Sequence, residues 1–189
     1  LNDGYANSVL AMQILNEEMP KDAYIVADSS THLAIAQHYL EINEPHSWMD
    51  PGWHGLIGSG IPNALGAKLA YPDRPVIAVV GDTSFGMAGM DMETAVKHSI
   101  PIKVIVMNNS GIAGSHRNNL TVPPDHPELF CQFSPRLRYD DIARALGADG
   151  EAVSSNVELR PAIRRLLESD QPYCLNIHVH PETPAPPPW

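Results

Sequence analysis

Gly81-Asp82-Thr83-Ser84-Phe85 and Asn108-Asn109 are the stretches that decide the fold, and 26 residues separate Asp82 from Asn109. Each stretch follows an apolar run, at residues 75–80 and 102–107, that is typical of a buried strand. The residues between them, 86–99, have a helical pattern. We therefore predict a βαβ unit, whose two parallel strands end at the same edge of a sheet.

The two polar stretches predict a ligand site at that edge. Asp82 follows the first strand and Asn109 the second, at the carboxyl edge where open α/β sheets bind ligands. Carboxylate and amide oxygens are suitable ligands for Mg²⁺, which often shares them with the phosphates of a substrate. The alternative, in which Asp82 caps a helix and Asn108-Asn109 forms a turn, stays open on this pattern alone.

The same residues resemble the Mg²⁺- and diphosphate-binding motif of thiamine-diphosphate (ThDP) enzymes, in which Gly-Asp-Gly precedes Asn-Asn. Thr83 stands where Gly is commonest in that family. The resemblance implies that ThDP and Mg²⁺ are the cofactors, and that Asp82, Asn109 and the carbonyl of Gly111 bind the metal. It also implies that other residues of the two stretches contact the cofactor, namely Gly81, Thr83, Ser84 and Ile112.

A glycine-dense segment at residues 52–62 supports the same resemblance. Its glycines allow the backbone to approach a ligand closely, because no Cβ intervenes. In ThDP enzymes the matching segment lies under the cofactor. The resemblance implies that the carbonyl of Gly55 accepts from the cofactor's 4′-amino group and that Ile57 holds the cofactor in a bent conformation. Taken alone, the segment favours an ordinary loop that packs a helix against a sheet.

Strand-like and helix-like segments alternate along the chain. This pattern predicts an α/β fold with a doubly wound, mostly parallel sheet and helices on both faces. The order of the segments resembles the diphosphate-binding (PP) domain of ThDP enzymes over nearly the whole chain. We assign residues 1–180 to that domain and residues 181–189, which contain five prolines, to an extended tail.

The composition disfavours several classes of function. No run approaches the roughly 18 apolar residues that cross a bilayer, and no signal-peptide pattern opens the chain. We therefore expect no membrane contact and a cytoplasmic location. The net charge of −10 disfavours nucleic acid, whose phosphates need a basic surface. Cys131 and Cys174 form no CxxC motif and are expected to be free thiols.

A second domain completes the site in ThDP enzymes. The resemblance implies that an activating glutamate comes from a pyrimidine-binding (PYR) domain, and the glutamates of this chain have no matching context. Glu93, in the helix after Asp82, is interpreted as solvated or as lying at a subunit interface. We therefore expect a PYR-domain polypeptide as partner, in a heterotetramer or larger assembly, or that the chain is a fragment of a longer one.

The residues after Asp82 indicate a reaction. Phe85-Gly86-Met87-Ala88-Gly89-Met90, ahead of Glu93-Thr94, resembles the oxalyl-CoA decarboxylase and 2-hydroxyacyl-CoA lyase branch. The resemblance implies a carbon–carbon lyase that converts a 2-hydroxyacyl-CoA into formyl-CoA and an aldehyde or ketone. Two alternatives stay open. One is the PP subunit of a two-subunit 2-oxo acid decarboxylase or acetolactate-synthase-like enzyme, and the other is a non-catalytic subunit that keeps the fold.

Histidines and arginines provide further candidates. His54 in the glycine segment and His116 in the polar stretch after Asn109 are the catalytic candidates, because histidine titrates near neutral pH. Whether His32 faces the same edge is open. Acyl-CoA phosphates have candidate partners in Arg117 and in a set of arginines in the second half of the chain. The alternative for that set is a solvated surface with intrahelical ion pairs, and its members are Arg136, Arg138, Arg160, Arg164 and Arg165.

Overall fold

Six parallel strands form the centre of the protein in the computed structural model, which describes residues 4–112 and 133–181. They are β1 (Tyr24–Ala27), β2 (Trp48–Met49), β3 (Val76–Gly81), β4 (Lys103–Asn108), β5 (Asp149–Val153) and β6 (Tyr173–His178). Their order in the sheet is β2-β1-β3-β4-β6-β5, and every neighbouring pair is parallel. The predicted doubly wound α/β fold is confirmed.

Helices cover both faces of this sheet. They are α1 (Ser8–Glu18), α2 (Thr31–Tyr39), α3 (Gly60–Ala70), α4 (Asp82–Ala88), α5 (Asp91–Lys97), α6 (Tyr139–Ala145) and α7 (Asn156–Glu168), with a short 3₁₀ turn at Gly52–His54. One face packs against α1, α2 and α7, and the other against α3, α4, α5 and α6. Alternate residues of β3 enter the two cores, Ile77 on one side and Ala78 on the other. Because β3 is buried on both faces, its residues form a continuous apolar run, and this run allowed the strand to be predicted from the sequence.

Three parts of the secondary structure differ from the prediction, one helix and two strands. The single helix expected at 86–99 is wrong, because α4 spans Asp82–Ala88 and Gly89 follows it as the C-cap, before α5 begins at Asp91. An added Cβ at Gly89 would lie 2.4 Å from Cε1 of Phe85, so the chain packs too closely there for a side chain. The sequence pattern also missed β2, which has two residues, and β5, an edge strand that carries Asp149 and Glu151. Both strands are partly exposed and lack an apolar run.

Strand register places the predicted site. Gly81 at the end of β3 pairs with Met107 of β4, and Asn108 pairs with His178 of β6. Asp82 and Asn109 therefore follow neighbouring strand ends at the carboxyl edge, as predicted. Within the described residues, no helix combines the length and apolar character that crossing a membrane requires.

Candidate functional site

A cleft opens at the carboxyl edge of the sheet, above the ends of β1, β3, β4 and β6. It contains about 520 Å³ of empty space, part of which is open to solvent. The structure brings most of the predicted cofactor residues together around it. Those that line the cleft are Ile57, Gly81, Asp82, Thr83, Ser84, Asn109, Gly111 and Ile112.

Asp82 is the buried carboxylate of this cleft, with 2% of its surface exposed. The backbone N–H of Thr83 donates to Oδ1 at 2.7 Å, and the N–H of Gly111 donates to Oδ2 at 3.0 Å. Burial raises the pKa of Asp82 to about 6, although hydrogen bonds from Gly111, Thr83 and Ser110 oppose the rise. Burial makes this carboxylate costly to ionise, and a neighbouring cation would stabilise its ionised form. The site therefore fits a metal ion.

The last residue of β4 and the three that follow it form a tight turn, which we call the β4 turn (residues 108–111). Ser110 adopts a positive φ of 60°, in the left-handed region that is uncommon for a residue with a side chain. Three hydrogen bonds hold it there. Its N–H donates to Oδ1 of Asn108 at 3.1 Å, its carbonyl accepts from the N–H of Phe133 at 2.9 Å, and its Oγ accepts from the N–H of Arg136 at 3.4 Å. Ser110 is therefore held by one residue that precedes it, Asn108, and by two residues that follow later in the chain, Phe133 and Arg136.

The glycine segment is fixed by a second buried carboxylate. Asp28, at the end of β1, is fully buried and accepts the N–H of Gly58 and, at 2.7 Å, the N–H of Gly60. Ile57 lines the cleft as predicted, whereas Gly55 is exposed and does not line it. The left-handed φ of 56° at Gly55 gives a reason for glycine at that position.

The two catalytic candidates have different outcomes. His54 is exposed at the end of the 3₁₀ turn and does not belong to the cleft lining, so its catalytic role stays a prediction without support from the geometry. His116 and Arg117 lie outside the described residues, as do Cys131 and most of the tail. Cys174 is a buried free thiol.

One wall of the cleft was not predicted as a binding surface. It consists of the start of α2 with the first residue of α1, and we call it the α2 wall (Ser8, Ser30, Thr31 and His32). Ser8 and His32 are 2% and 7% exposed, yet the Oγ of Ser8 and the Nε2 of His32 have no hydrogen-bond partner within the described residues. Polar residues directly after β1 repeat the pattern of Asp82 after β3, so Ser30 and Thr31 could have been found from the sequence, whereas Ser8 had no signal.

These orphaned atoms test whether the cleft fits a diphosphate. Buried polar atoms in native proteins nearly always have partners, so an unpartnered pair that lines a cleft indicates a polar ligand. The N-terminus of a helix also presents backbone N–H groups to anions. Burial lowers the pKa of His32 to about 4, although Asp28 raises it, so the ring is neutral at pH 7. The α2 wall fits an anion, and the opposite wall with Asp82 fits its cation.

The predicted metal site would have few protein ligands. Within residues 4–112 and 133–181 there is no cluster of three or more histidine, cysteine, aspartate or glutamate side chains with metal-binding geometry. A donor set of one carboxylate, one amide oxygen and one backbone carbonyl suits Mg²⁺, which keeps water and phosphate oxygens as its other ligands.

The described arginines proposed for acyl-CoA already contact other groups of the protein. Arg160 and Arg164 on α7 pair with Glu18 on α1, and Arg165 pairs with Glu151 on β5 at 2.6 Å. Arg138 pairs with Asp140 at 2.5 Å, and Arg136 donates to the carbonyl of Gly4 and covers the ring of Tyr5. The pairs of Arg160, Arg164 and Arg165 connect different elements, whereas Arg138 pairs within the start of α6. All of these contacts favour a structural role over phosphate binding.

Comparisons with known proteins show the family of the chain. Residues 28–177 match the thiamine pyrophosphate enzyme, C-terminal TPP binding domain, family. The acetolactate synthase large subunit IlvG of Mycobacterium tuberculosis is 36% identical over 168 residues, which are 89% of this chain and 30% of the relative. The 2-hydroxyacyl-CoA lyase 2 of Homo sapiens is 31% identical over 177 residues, 92% of this chain and 27% of the relative.

A solved structure has the same fold. The thiamine diphosphate-dependent 4-hydroxybenzoylformate decarboxylase of Rhodococcus jostii superposes with a TM-score of 0.82 at 22% identity, over 95% of this chain and 34% of that one. The chain thus spans about 30% of the length of the relatives it matches. By its match over residues 28–177, the chain belongs to the thiamine pyrophosphate enzymes and carries their C-terminal cofactor-binding domain.

Proposed function

We propose that this chain binds ThDP and Mg²⁺ for an enzyme that cleaves or forms a carbon–carbon bond next to a carbonyl group. The observation that carries the proposal is the buried carboxylate of Asp82, which accepts the N–H of Gly111 from the end of the neighbouring strand. This contact joins the two stretches that the family uses for the metal. The bound ThDP would supply the electron sink for the bond that breaks.

The described residues have separate tasks in this proposal. Asp82, Asn109 and the carbonyl of Gly111 hold Mg²⁺, which neutralises the diphosphate. The phosphate oxygens accept hydrogen bonds from the start of α2 and from the hydroxyl groups of Ser8, Thr83 and Ser84. Ile57 supports the cofactor from the glycine segment, and the buried setting excludes water from the charged groups.

A 2-hydroxyacyl-CoA is our leading substrate. The motif from Phe85 to Thr94 and the 31% identity to the human 2-hydroxyacyl-CoA lyase 2 support it. The reaction would yield formyl-CoA and an aldehyde or ketone. The ion pairs of Arg160, Arg164 and Arg165 leave the binding of CoA to other residues.

Acetolactate synthesis is the second candidate. The 36% identity to the Mycobacterium tuberculosis acetolactate synthase large subunit favours it. A two-subunit 2-oxo acid decarboxylase and a non-catalytic subunit remain further alternatives. The intact Asp82 and Asn109 speak against the non-catalytic one, because a site without turnover has no physical need for both metal ligands.

A PYR-domain polypeptide, or the same domain in a longer chain, completes the site in this proposal. None of the described residues that line the cleft is a glutamate, so the activating group has to come from elsewhere. An apolar surface next to the cleft suits such a partner. It includes Trp53, which is fully exposed, together with Leu56, Met87 and Met90, and Met87 lies against Gly58 of the glycine segment. A heterotetramer or larger assembly and a cytoplasmic location stay predictions.

The test starts with the protein purified from its own source, so that any partner stays bound. Native mass spectrometry with ThDP and Mg²⁺ should show the cofactor together with a second polypeptide or a longer chain. The same sample is then given a 2-hydroxyacyl-CoA or pyruvate. Formyl-CoA would support the lyase and acetolactate would support the synthase. Bound cofactor with neither product would contradict both substrates, and no bound cofactor would contradict the whole proposal.

A further inference from the structure

Behind the β4 turn, three buried polar side chains form a continuous hydrogen-bonded row. Asn108 ends β4, Asn176 lies in β6 and Asp140 lies in the first turn of α6, and at most 1% of each is exposed. Nδ2 of Asn176 donates to Oδ1 of Asp140 at 3.3 Å, and Oδ1 of Asn176 accepts from Nδ2 of Asn108 at 3.2 Å. Both amide groups also donate to the carbonyl of Leu137, at 2.8 and 2.9 Å.

Two acceptors set the direction of the hydrogen bonds in this row, the carboxylate of Asp140 and the carbonyl of Leu137. Burial opposes its ionisation, but hydrogen bonds from Arg138 and Asn176 hold the pKa of Asp140 below its usual value. An ionised carboxylate can only accept hydrogen bonds. Asn176 therefore has to turn its NH₂ group toward Asp140, and its carbonyl oxygen then faces Asn108.

The same constraint passes on to the β4 turn. Asn108 has to turn its NH₂ group toward Asn176, so its Oδ1 faces the N–H of Ser110, which it accepts at 3.1 Å. That bond helps to hold the left-handed φ of Ser110. Ser110 lies between Asn109 and Gly111, the two members of the β4 turn that we assign to the metal.

We propose that Asp140 and Asn176 are positioning residues, which set the orientation of the Asn108 amide and thereby hold Asn109 and Gly111 in place for the metal. Neither residue lines the cleft, so neither touches the cofactor. The metal part of this inference rests on the proposed function, whereas the effect on the β4 turn does not. Groups that orient metal ligands from behind are known to change metal affinity when they are replaced.

Asp140→Asn is the decisive substitution, because it keeps the shape of the side chain but allows it to donate. The carbonyl of Leu137 is then the one remaining group that orients the Asn176 amide, and it is shared with Asn108. Asp141→Asn is the matched control, since it makes the same charge change one residue away on an exposed side chain that also pairs with Arg138, at 3.3 Å. Should Asp140→Asn fail to fold, Asn176→Ala interrupts the row at its middle. Leu175→Ala, on the same strand but in the opposite core, then controls for lost stability.

Two measurements are made, the first on the 189-residue chain and the second on the assembly with its partner or on the longer chain. Amide hydrogen exchange at Ser110 and Gly111, read by NMR without cofactor, should become about tenfold faster in Asp140→Asn and stay unchanged in Asp141→Asn. The Mg²⁺ concentration needed to bind ThDP, measured by calorimetry, should rise about tenfold in the same variant only.

The possible outcomes separate the further inference from the proposed function. Unchanged exchange would overturn the inference that Asp140 holds the turn. Faster exchange with unchanged Mg²⁺ affinity would overturn its role in positioning metal ligands. If the unsubstituted chain, with its partner present, bound no ThDP and Mg²⁺, the proposed function would fall, and the exchange data would still report on the turn.

Discussion

The β4 turn and the α2 wall face the same cleft, but their polar atoms are bonded in different ways. In the β4 turn, Ser110 and Gly111 are held by hydrogen bonds to Asn108 and Asp82. On the α2 wall, the hydroxyl of Ser8 and Nε2 of His32 are buried without a partner within the described residues. The first region is set by contacts within the chain, while the second has hydrogen-bonding capacity that these contacts leave unused.

This difference separates positioning from binding. A buried hydroxyl without a partner costs about 1–3 kcal/mol, which a ligand recovers when it forms the missing bond. A turn whose N–H and carbonyl groups are already bonded instead keeps its shape as the ligand arrives. We therefore expect substitutions in the β4 turn and its supports to alter the folded protein, and substitutions of orphaned atoms to alter binding alone.

The largest effect is expected from Asp82→Ala. Loss of the buried carboxylate removes the proposed metal ligand and the acceptor for Gly111, so Mg²⁺-dependent binding of ThDP should weaken by about 100-fold or more. Isothermal titration calorimetry measures it, with Asp22→Ala on the exposed surface as the control. Unchanged affinity in Asp82→Ala would contradict the metal assignment.

The second effect concerns the support of the glycine segment. An added Cβ at Gly60 would lie 2.6 Å from Cγ1 of Val80 and 3.0 Å from Oδ2 of Asp28, the carboxylate directly before the α2 wall. Gly60→Ala should lower the free energy of unfolding by about 2 kcal/mol, because the core has no room for the methyl group. Urea unfolding measures the change.

Gly66 offers the matched control for this prediction. It lies in the same helix, and an added Cβ there meets no atom within 4 Å. Gly66→Ala should raise the free energy of unfolding by up to about 1 kcal/mol through helix propensity. Equal effects at the two positions would show that the contacts of Gly60 do not limit its size.

The sequence predicted the side of the cleft that carries Asp82 and the β4 turn, but it did not predict the α2 wall. Asp82 and Asn109 were found because each directly follows a run of apolar residues, and such runs are visible when a strand is buried on both faces. Ile57 was found through the glycines around it. Ser8 was not found, because it reaches the cleft through the packing of α1 beside α2, which no local pattern encodes. The support of the β4 turn by Asn176 was also hidden, since residues 108 and 176 meet only when β4 pairs with β6.

The third prediction tests the α2 wall itself. Ser8→Ala removes a hydroxyl that has no partner, so the free energy of unfolding without ligand should stay the same or rise slightly. ThDP affinity in the presence of Mg²⁺ should fall about tenfold, as expected for a hydrogen bond to a charged group. Calorimetry and urea unfolding are compared with Ser154→Ala, at the far edge of the sheet. A loss of stability with unchanged affinity would place Ser8 with the structural residues instead.

The smallest effect is expected from the ion pairs between α1 and α7, away from both walls. Hydrogen bonds from Arg164 and Arg160 lower the pKa of Glu18 from 4.5 to about 2. A carboxylate with a lowered folded-state pKa stabilises the fold above pH 4.5, and this contribution disappears as the pH falls from 4.5 toward 2. Glu18→Gln should remove that part of the acid dependence in urea unfolding, and added salt should shrink the difference because the two arginines are solvent-exposed. ThDP affinity at pH 7 should not change. A weaker affinity in this variant would mean that α1 transmits strain to Ser8. Ligand binding at the α2 wall would then depend on the ion pairs between α1 and α7.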